Sequence, residues 1–98
     1  MKNVAYELYF HKDAASEWYA LDKSVREQFK KVLARRLVEP RIPSSALSGM
    51  PDCYKIKQRK SGYRLVYRVE DREIRVYVIA VGKRDKRSVY KDAKKRLQ

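Results

Sequence analysis

The spacing of apolar residues changes twice along this chain. "VAYELYF" (Val4 to Phe10) is rich in aromatic and β-branched residues and predicts a short strand. From Lys12 to Leu21 the period lengthens, with Ala14, Ala15, Trp18 and Leu21 recurring at helical spacing. A second, longer helix is predicted from about Ser24 to Glu39, burying a stripe of Val25, Phe29, Val32, Leu33 and Leu37. Ser24 and Glu27 stand at capping-box spacing. Pro40 and Pro43 end the helix and lead into the loop "RIPSSALSGMP".

Beyond that loop the period falls to two. Strands are predicted at roughly Cys53 to Arg59, Tyr63 to Val69 and Ile74 to Val81, turned at "KSG" (Lys60 to Gly62) and "EDRE" (Glu70 to Glu73). The third is apolar at nearly every position, as expected of a strand covered on both faces, and Gly82 breaks it. A last helix from about Lys86 to Leu97 carries a thin stripe of Val89, Ala93 and Leu97. The order β-α-α-β-β-β-α predicts an α+β fold in a single domain over residues 1–98. Two helices pack on one face of a small, mostly antiparallel sheet, a C-terminal helix follows, and the other face stays partly open.

Alternation also sorts the hairpin residues by face. Tyr54, Ile56 and Gln58 oppose Lys55, Lys57 and Arg59; Tyr63, Leu65 and Tyr67 oppose Arg64, Val66 and Arg68. An antiparallel turn at "KSG" brings the two cationic sets together on one face, although like charges across a ladder are destabilising. Lysines that block edge-to-edge aggregation are one explanation. An anion that belongs there is the other. The distal "GKRDKRSVYK" (Gly82 to Lys91) adds a third basic cluster where the third strand stops, which favours the anion.

Composition sharpens that reading. The formal charge is +13, and it is lopsided: residues 55–98 hold 16 Lys/Arg against 5 Asp/Glu, whereas residues 1–54 hold 9 against 7. Such a field suits a polyanion or an acidic partner. Arg forks bind phosphate through paired hydrogen bonds, Lys supplies mobile charge, and tyrosines can stack on unpaired bases. Arg59, Lys60, Arg68, Lys83, Lys86 and Arg87 are the candidate RNA contacts. Tyr54, Tyr63, Tyr67 and Tyr77 serve better as core or rim residues than as stacking platforms.

Other chemistries are thinly supplied. One cysteine and one histidine build neither a disulfide framework nor a Cys/His zinc site. His11, between a strand and a helix, fits a surface or capping role; Cys53 reads as a small buried hydrophobe and Trp18 as helix-packing core. Asp52 and Asp85, the carboxylates nearest the basic face, form no metal-ligand cluster, so neither metal nor cofactor is expected. The N-terminus lacks a signal-peptide core and no apolar run spans a bilayer, so a cytoplasmic setting with no membrane partner is expected.

The stretches "LSGMPDCYKIKQRKSGYRLVYRVED" and "VYVIAVGKRDKRSVYKDA" resemble the RelE family of bacterial toxins, members of type II toxin–antitoxin pairs. The likeness runs back through "SEWYALDKSVREQFKKVL" and "EPRI", nearly the whole chain. It points to the RelE branch more than to the related ParE toxins, which poison gyrase. The resemblance implies an enzyme, a ribosome-dependent endoribonuclease that cuts mRNA in the A site of the 70S ribosome. The 2′-hydroxyl attacks the adjacent phosphate and leaves a 2′,3′-cyclic phosphate.

Family positions match Lys55, Lys57, Arg64, Arg84 and Tyr90, while Ser48 stands where relatives can be basic. The resemblance assigns Tyr90 as general base, with Lys57 as rival or helper. Lys55 and Lys57 orient and neutralise, Arg64 holds the phosphate, and Arg84 stabilises or protonates the leaving group. A free phenol titrates near pH ~10, and clustered cations would favour its ionised form. On spacing alone, Tyr90 is simply a residue flanking the last helix's apolar stripe, and Arg84 a solvated strand end. The resemblance also implies a RelB-type antitoxin and contact with operator DNA only through the antitoxin complex. A ParE-like gyrase inhibitor and a non-enzymatic basic nucleic-acid-binding module are the competing readings.

Overall fold

The computed structural model describes residues 5–83 and 89–98. In chain order these form β1 (Glu7–Phe10), α1 (Lys12–Tyr19), α2 (Lys23–Val38), a 3₁₀ turn at Pro43–Ser45, β2 (Cys53–Lys57), β3 (Tyr63–Glu70), β4 (Arg75–Lys83) and α3 (Val89–Arg96). The α+β order is the one the periodicity predicts. The sheet runs β1-β4-β3-β2, antiparallel except where β1 lies parallel to β4. That parallel pairing makes β4 an inner strand, and its nearly continuous apolar run follows from cover on both faces.

One face is covered by α1 and α2. Ala14, Trp18, Leu21, Phe29 and Leu33 pack there on Tyr54, Ile56, Leu65, Tyr67, Val76 and Val78. On the other face Val89 and Ala93 of α3, with Met50 of the loop before β2, cover Cys53, Val66, Ile79 and Ala80. A bulge between Val66 and Tyr67 leaves Ile79 without a direct partner on β3, so Ile79 and Ala80 both join this second core. Trp18 and Cys53 are buried as expected, and burial pushes the Cys53 thiol up to about 11. His11 caps α1, its Nδ1 accepting the Asp13 N–H at 3.0 Å.

Several local expectations need correction. The N-cap of α2 is Asp22, not Ser24, and no side chain caps that end, so Ser24 and Glu27 form no capping box. Gly82 does not end the third strand of the hairpin region. It pairs with Arg64, and β4 continues to Lys83, because β3 offers a full partner ladder there. Ile74 belongs to the preceding turn, with φ of +52°, and the strand starts one residue later. The proposed start of β1 at Val4 lies outside the described residues, and the pairing begins at Glu7.

The most consequential long-range link was invisible in the pattern. Because β1 stops at Phe10 opposite Val78, the edge of β4 beyond that point has no strand partner among the described residues. Side chains complete it. Glu17 of α1 accepts the Val81 N–H at 3.0 Å, and Arg96 of α3 donates to the Ile79 carbonyl at 2.8 Å. The same two residues then join each other, Arg96 Nη1 and Nη2 reaching Glu17 Oε1 and Oε2 at 2.9 and 2.7 Å. This double fork anchors α3 to α1 and to the sheet, supplementing the thin stripe of Val89, Ala93 and Leu97.

Two outcomes follow from this packing. Glu17→Ala leaves the Val81 N–H without its acceptor and removes the carboxylate paired with Arg96, so stability should fall by about 2 kcal/mol in denaturant titration. Amide exchange in α3 should rise more than in α2; equal rises across the molecule would show that the pair does not hold α3. Cys53, neutral and enclosed, should resist a thiol reagent at pH 7 until the chain unfolds, which a labelling time course with and without denaturant would read.

Candidate RNA-cleavage face

The β2–β3 register sets the site. Tyr54 faces Tyr67 and Ile56 faces Leu65 on the helix-covered side, which sends Lys55, Lys57, Arg64, Val66 and Arg68 to the other. Lys57 lies directly opposite Arg64. The next pair towards the turn is hydrogen-bonded, Gln58 N–H donating to the Tyr63 carbonyl at 3.0 Å. Lys57 and Arg64 therefore form a pair of the non-hydrogen-bonded kind, in which side chains come closest. The like-charge apposition expected from alternation is present.

Arg64 is the buried charged residue among the described ones, at 8% exposure. Its Nη1 donates to its neighbour's carbonyl, Tyr63 O, at 3.3 Å, and no carboxylate among the described residues pairs with it. Across the sheet it meets Gly82, which puts no side chain beside it. A buried cation without a counter-ion is costly, and the cost falls when an anion arrives.

Tyr90, in the first turn of α3, is half-buried against the second core. It shares with Lys55 a cleft of about 420 Å³, whose remaining wall is Ala46, Leu47, Ser48 and Met50. Two residues thirty-five positions apart in the chain are thus brought to one opening, and Ser48 lines it too. Lys55, Lys57 and Arg59 also line a neighbouring cleft along the β2 edge. Lys60 is exposed in the hairpin turn. Arg84, Lys86 and Arg87 lie outside the described residues, between Lys83 and Val89.

Two predicted RNA contacts sit elsewhere. Lys83 pairs in register with Tyr63 and stands over its ring at 5.4 Å, on the side of the sheet that carries the larger core. Arg68 is at the far end of β3, where its Nη2 meets Glu70 at 2.6 Å and its guanidinium lies over Tyr77. Glu70 also pairs with Arg75. Burial opposes the Glu70 charge, but the two arginines outweigh it and hold the carboxyl below its usual range. Arg41 similarly joins Asp52 at 3.0 Å and Asp71 at 2.9 Å. The acidic residues thus neutralise arginines at one end, and among the described residues none opposes the cations of the hairpin end.

Arg36 of α2 was missed. It stands three residues after Leu33 on the buried stripe, and a cation at a core-facing helical position was the available signal. Its Nη1 donates to the Tyr67 hydroxyl at 2.8 Å, and that hydroxyl donates to the Pro40 carbonyl at 2.7 Å.

The family model described as "ParE toxin of type II toxin-antitoxin system, parDE" matches residues 8–87. The mRNA interferase toxin RelE of Escherichia coli K12 is 54% identical over 94 residues, spanning 96% of this chain and 99% of that protein. Among solved structures, a doubly arginine-substituted mutant of E. coli RelE in the free state superposes with a TM-score of 0.89 at 53% identity. It covers 97% of this chain and 100% of that one. The toxin of the intact E. coli RelBE toxin–antitoxin complex gives 0.81 at 55% identity, over 84% and 100% of the two chains. The family model is drawn for ParE toxins, but identity above one half over almost the whole length is to RelE. This chain belongs to the RelE family of the RelE/ParE toxin superfamily.

Proposed function

We propose that this protein is a ribosome-dependent mRNA endonuclease toxin that cleaves the codon in the A site and is held in check by a RelB-type antitoxin. The observation that carries the reading is the cation pair Lys57–Arg64, met by no carboxylate among the described residues, on the same sheet face as Lys55, which shares a cleft with Tyr90. Its support in kind is that the E. coli relative is an mRNA interferase and has been solved with RelB.

The chemistry can be written through this chain's residues. Tyr90, aided by Lys57, takes the proton of the ribose 2′-hydroxyl; the O2′–P bond forms, and the P–O5′ bond breaks. Arg64 holds the non-bridging oxygens, Lys55 and Lys57 offset the charge of the phosphorane, and Arg84 stabilises the departing O5′, which takes its proton from Arg84 or water. The products are a 2′,3′-cyclic phosphate and a 5′-hydroxyl. Protein cations carry the electrostatic load, so no metal or cofactor is required. The ribosome supplies alignment of the attacking oxygen, an effect worth several kcal/mol, ~7 or more where geometry is near in-line. Arg59, Lys60, Lys86 and Arg87 extend the contact with RNA. Operator DNA is reached only through the antitoxin complex. No helix among the described residues is long and apolar enough to cross a membrane. A ribosome-dependent toxin acts where the ribosomes are, so the proposed site of action is the cytoplasm.

Primer extension on a message in a purified translation reaction tests this. Translated mRNA should be cut and free RNA spared, and Tyr90→Phe and Arg84→Ala should each slow cutting by about 10²-fold or more. Parental rates in both variants would remove the assigned roles. Because the matching family model is that of ParE toxins, a supercoiling assay is the natural counterpart; inhibition of gyrase without message cleavage would reverse the reading.

The cation pair makes a separate prediction about the free protein. Millimolar pyrophosphate should raise Tm, since a ligand of the folded state stabilises it by mass action. Lys57→Gln should raise Tm without ligand, by removing a like-charge pair worth ~0.2–1 kcal/mol, and should shrink the response to pyrophosphate. A variant less stable than the parent with an undiminished response would show that the pair is not in conflict.

A further inference from the structure

We propose that the cleft along the β2 edge is a second phosphate subsite, which grips the backbone of the RNA strand next to the phosphate being cut. The inference rests on the mRNA-cleavage reading and extends it to residues of α2 and the 3₁₀ turn. The cleft measures about 350 Å³ and is lined by Arg36, Ser44, Ser45, Lys55, Lys57 and Arg59. Four cations and two hydroxyls meet there, and no carboxylate lines it.

Arg36 is what makes this more than a run of surface charge. Its Nη1 donates to the Tyr67 hydroxyl at 2.8 Å and to the Lys55 carbonyl at 3.4 Å, and its Nη2 to Ser45 Oγ at 3.3 Å. Its guanidinium also stands 5.8 Å from the centre of the Tyr67 ring. Every one of these partners is neutral. They fix the position of the guanidinium and leave its charge uncompensated by any carboxylate among the described residues.

A tether between α2 and β3 accounts for the bond to Tyr67. It does not account for three further cations gathered at the same opening. A fixed guanidinium, flexible ammonium groups and hydroxyl donors together suit the two non-bridging oxygens of a backbone phosphate.

Continuity decides which phosphate. Lys55 lines both this cleft and the one that holds Tyr90. A strand whose scissile phosphate lies by Tyr90, Lys55 and Lys57 therefore has its neighbouring backbone at Arg59 and Arg36, the cations of this cleft that take no part at the cut. Holding that second phosphate would fix the direction of the strand across β2 and keep the 2′-hydroxyl aligned.

Ser44 allows a test that leaves the core untouched, because it is exposed on the 3₁₀ turn. Affinity of the full chain for a short RNA with a 2′-deoxy residue at the cut position would be read by fluorescence anisotropy across a salt series. Ser44→Asp should weaken binding about tenfold and flatten the salt slope by about 0.7, the value for one lost contact on a single strand. Ser44→Lys should strengthen binding, and Ser16→Asp, the same charge change on the exposed face of α1, should shift it less than about twofold.

Equal effects of the two aspartates would overturn the subsite and leave only a diffuse field. A loss confined to vacant ribosomes would assign the cleft to ribosomal RNA, and a loss confined to the antitoxin would assign it to an acidic protein; either overturns the proposal. If the parent fails to cut translated message, the enzymatic reading falls, while the affinity series still judges the cleft.

Discussion

Everything at this site depends on the register of one hairpin. Tyr54, Ile56, Leu65 and Tyr67 must face α1 and α2, because only that orientation buries them against Trp18, Phe29 and Leu33. A slip of β2 by one residue would turn Tyr54 and Ile56 away from that core, a loss of several kcal/mol at about 1.5–3 per large side chain. The opposite face has no such freedom to choose. Lys57 and Arg64 are pressed together as a consequence, and a repulsion of at most about 1 kcal/mol cannot overcome the burial that imposes it. The core thus holds open a charge arrangement that the isolated hairpin would avoid.

The second constraint is the shortness of β1. It covers β4 only as far as Val78, and the remaining edge is finished by Glu17 and Arg96. An ion pair of this kind does two tasks with one set of groups: it satisfies strand hydrogen bonds, and it sets where α3 lies. Tyr90 is positioned by the same docking, one end of the helix being fixed by Arg96 and the other by Val89 in the second core. The helix buries few apolar residues, so much of its attachment is polar. Polar attachment is sensitive to competing acidic groups, a property suited to an element that borders a regulated site.

Charge segregation completes the picture. Acidic residues are placed where arginines can take them up, at Glu70 with Arg68 and Arg75, and at Asp52 and Asp71 with Arg41. Lys57, Arg59 and Arg64 at the hairpin end have no such partners among the described residues. Part of the +13 excess is therefore concentrated at the hairpin end, beside the cleft that Lys55 shares with Tyr90. Arg68 and Lys83, both prominent in the linear pattern, have neighbours of their own: Glu70 and Tyr77 engage the first, and the Tyr63 ring the second.

Alternation and helical spacing alone were enough to determine the element order, the two faces of the hairpin, the cover of β4 on both faces and the meeting of the hairpin's two cationic sets. These are local properties: which neighbour points which way is settled within a few residues. The cap of α2, the run of β4 through Gly82 and the left-handed Ile74 were misread because each depends on what lies across the sheet or beyond the turn. Only the tertiary structure decided that β1 joins β4 in parallel, that Glu17 and Arg96 close its edge, that Tyr90 returns beside Lys55, and that Arg36 reaches Tyr67. Those contacts join residues tens of positions apart, and no periodicity carries them. They exist because a short sheet leaves backbone groups and a buried hydroxyl that must find partners, and the fold alone determines which side chains are within reach.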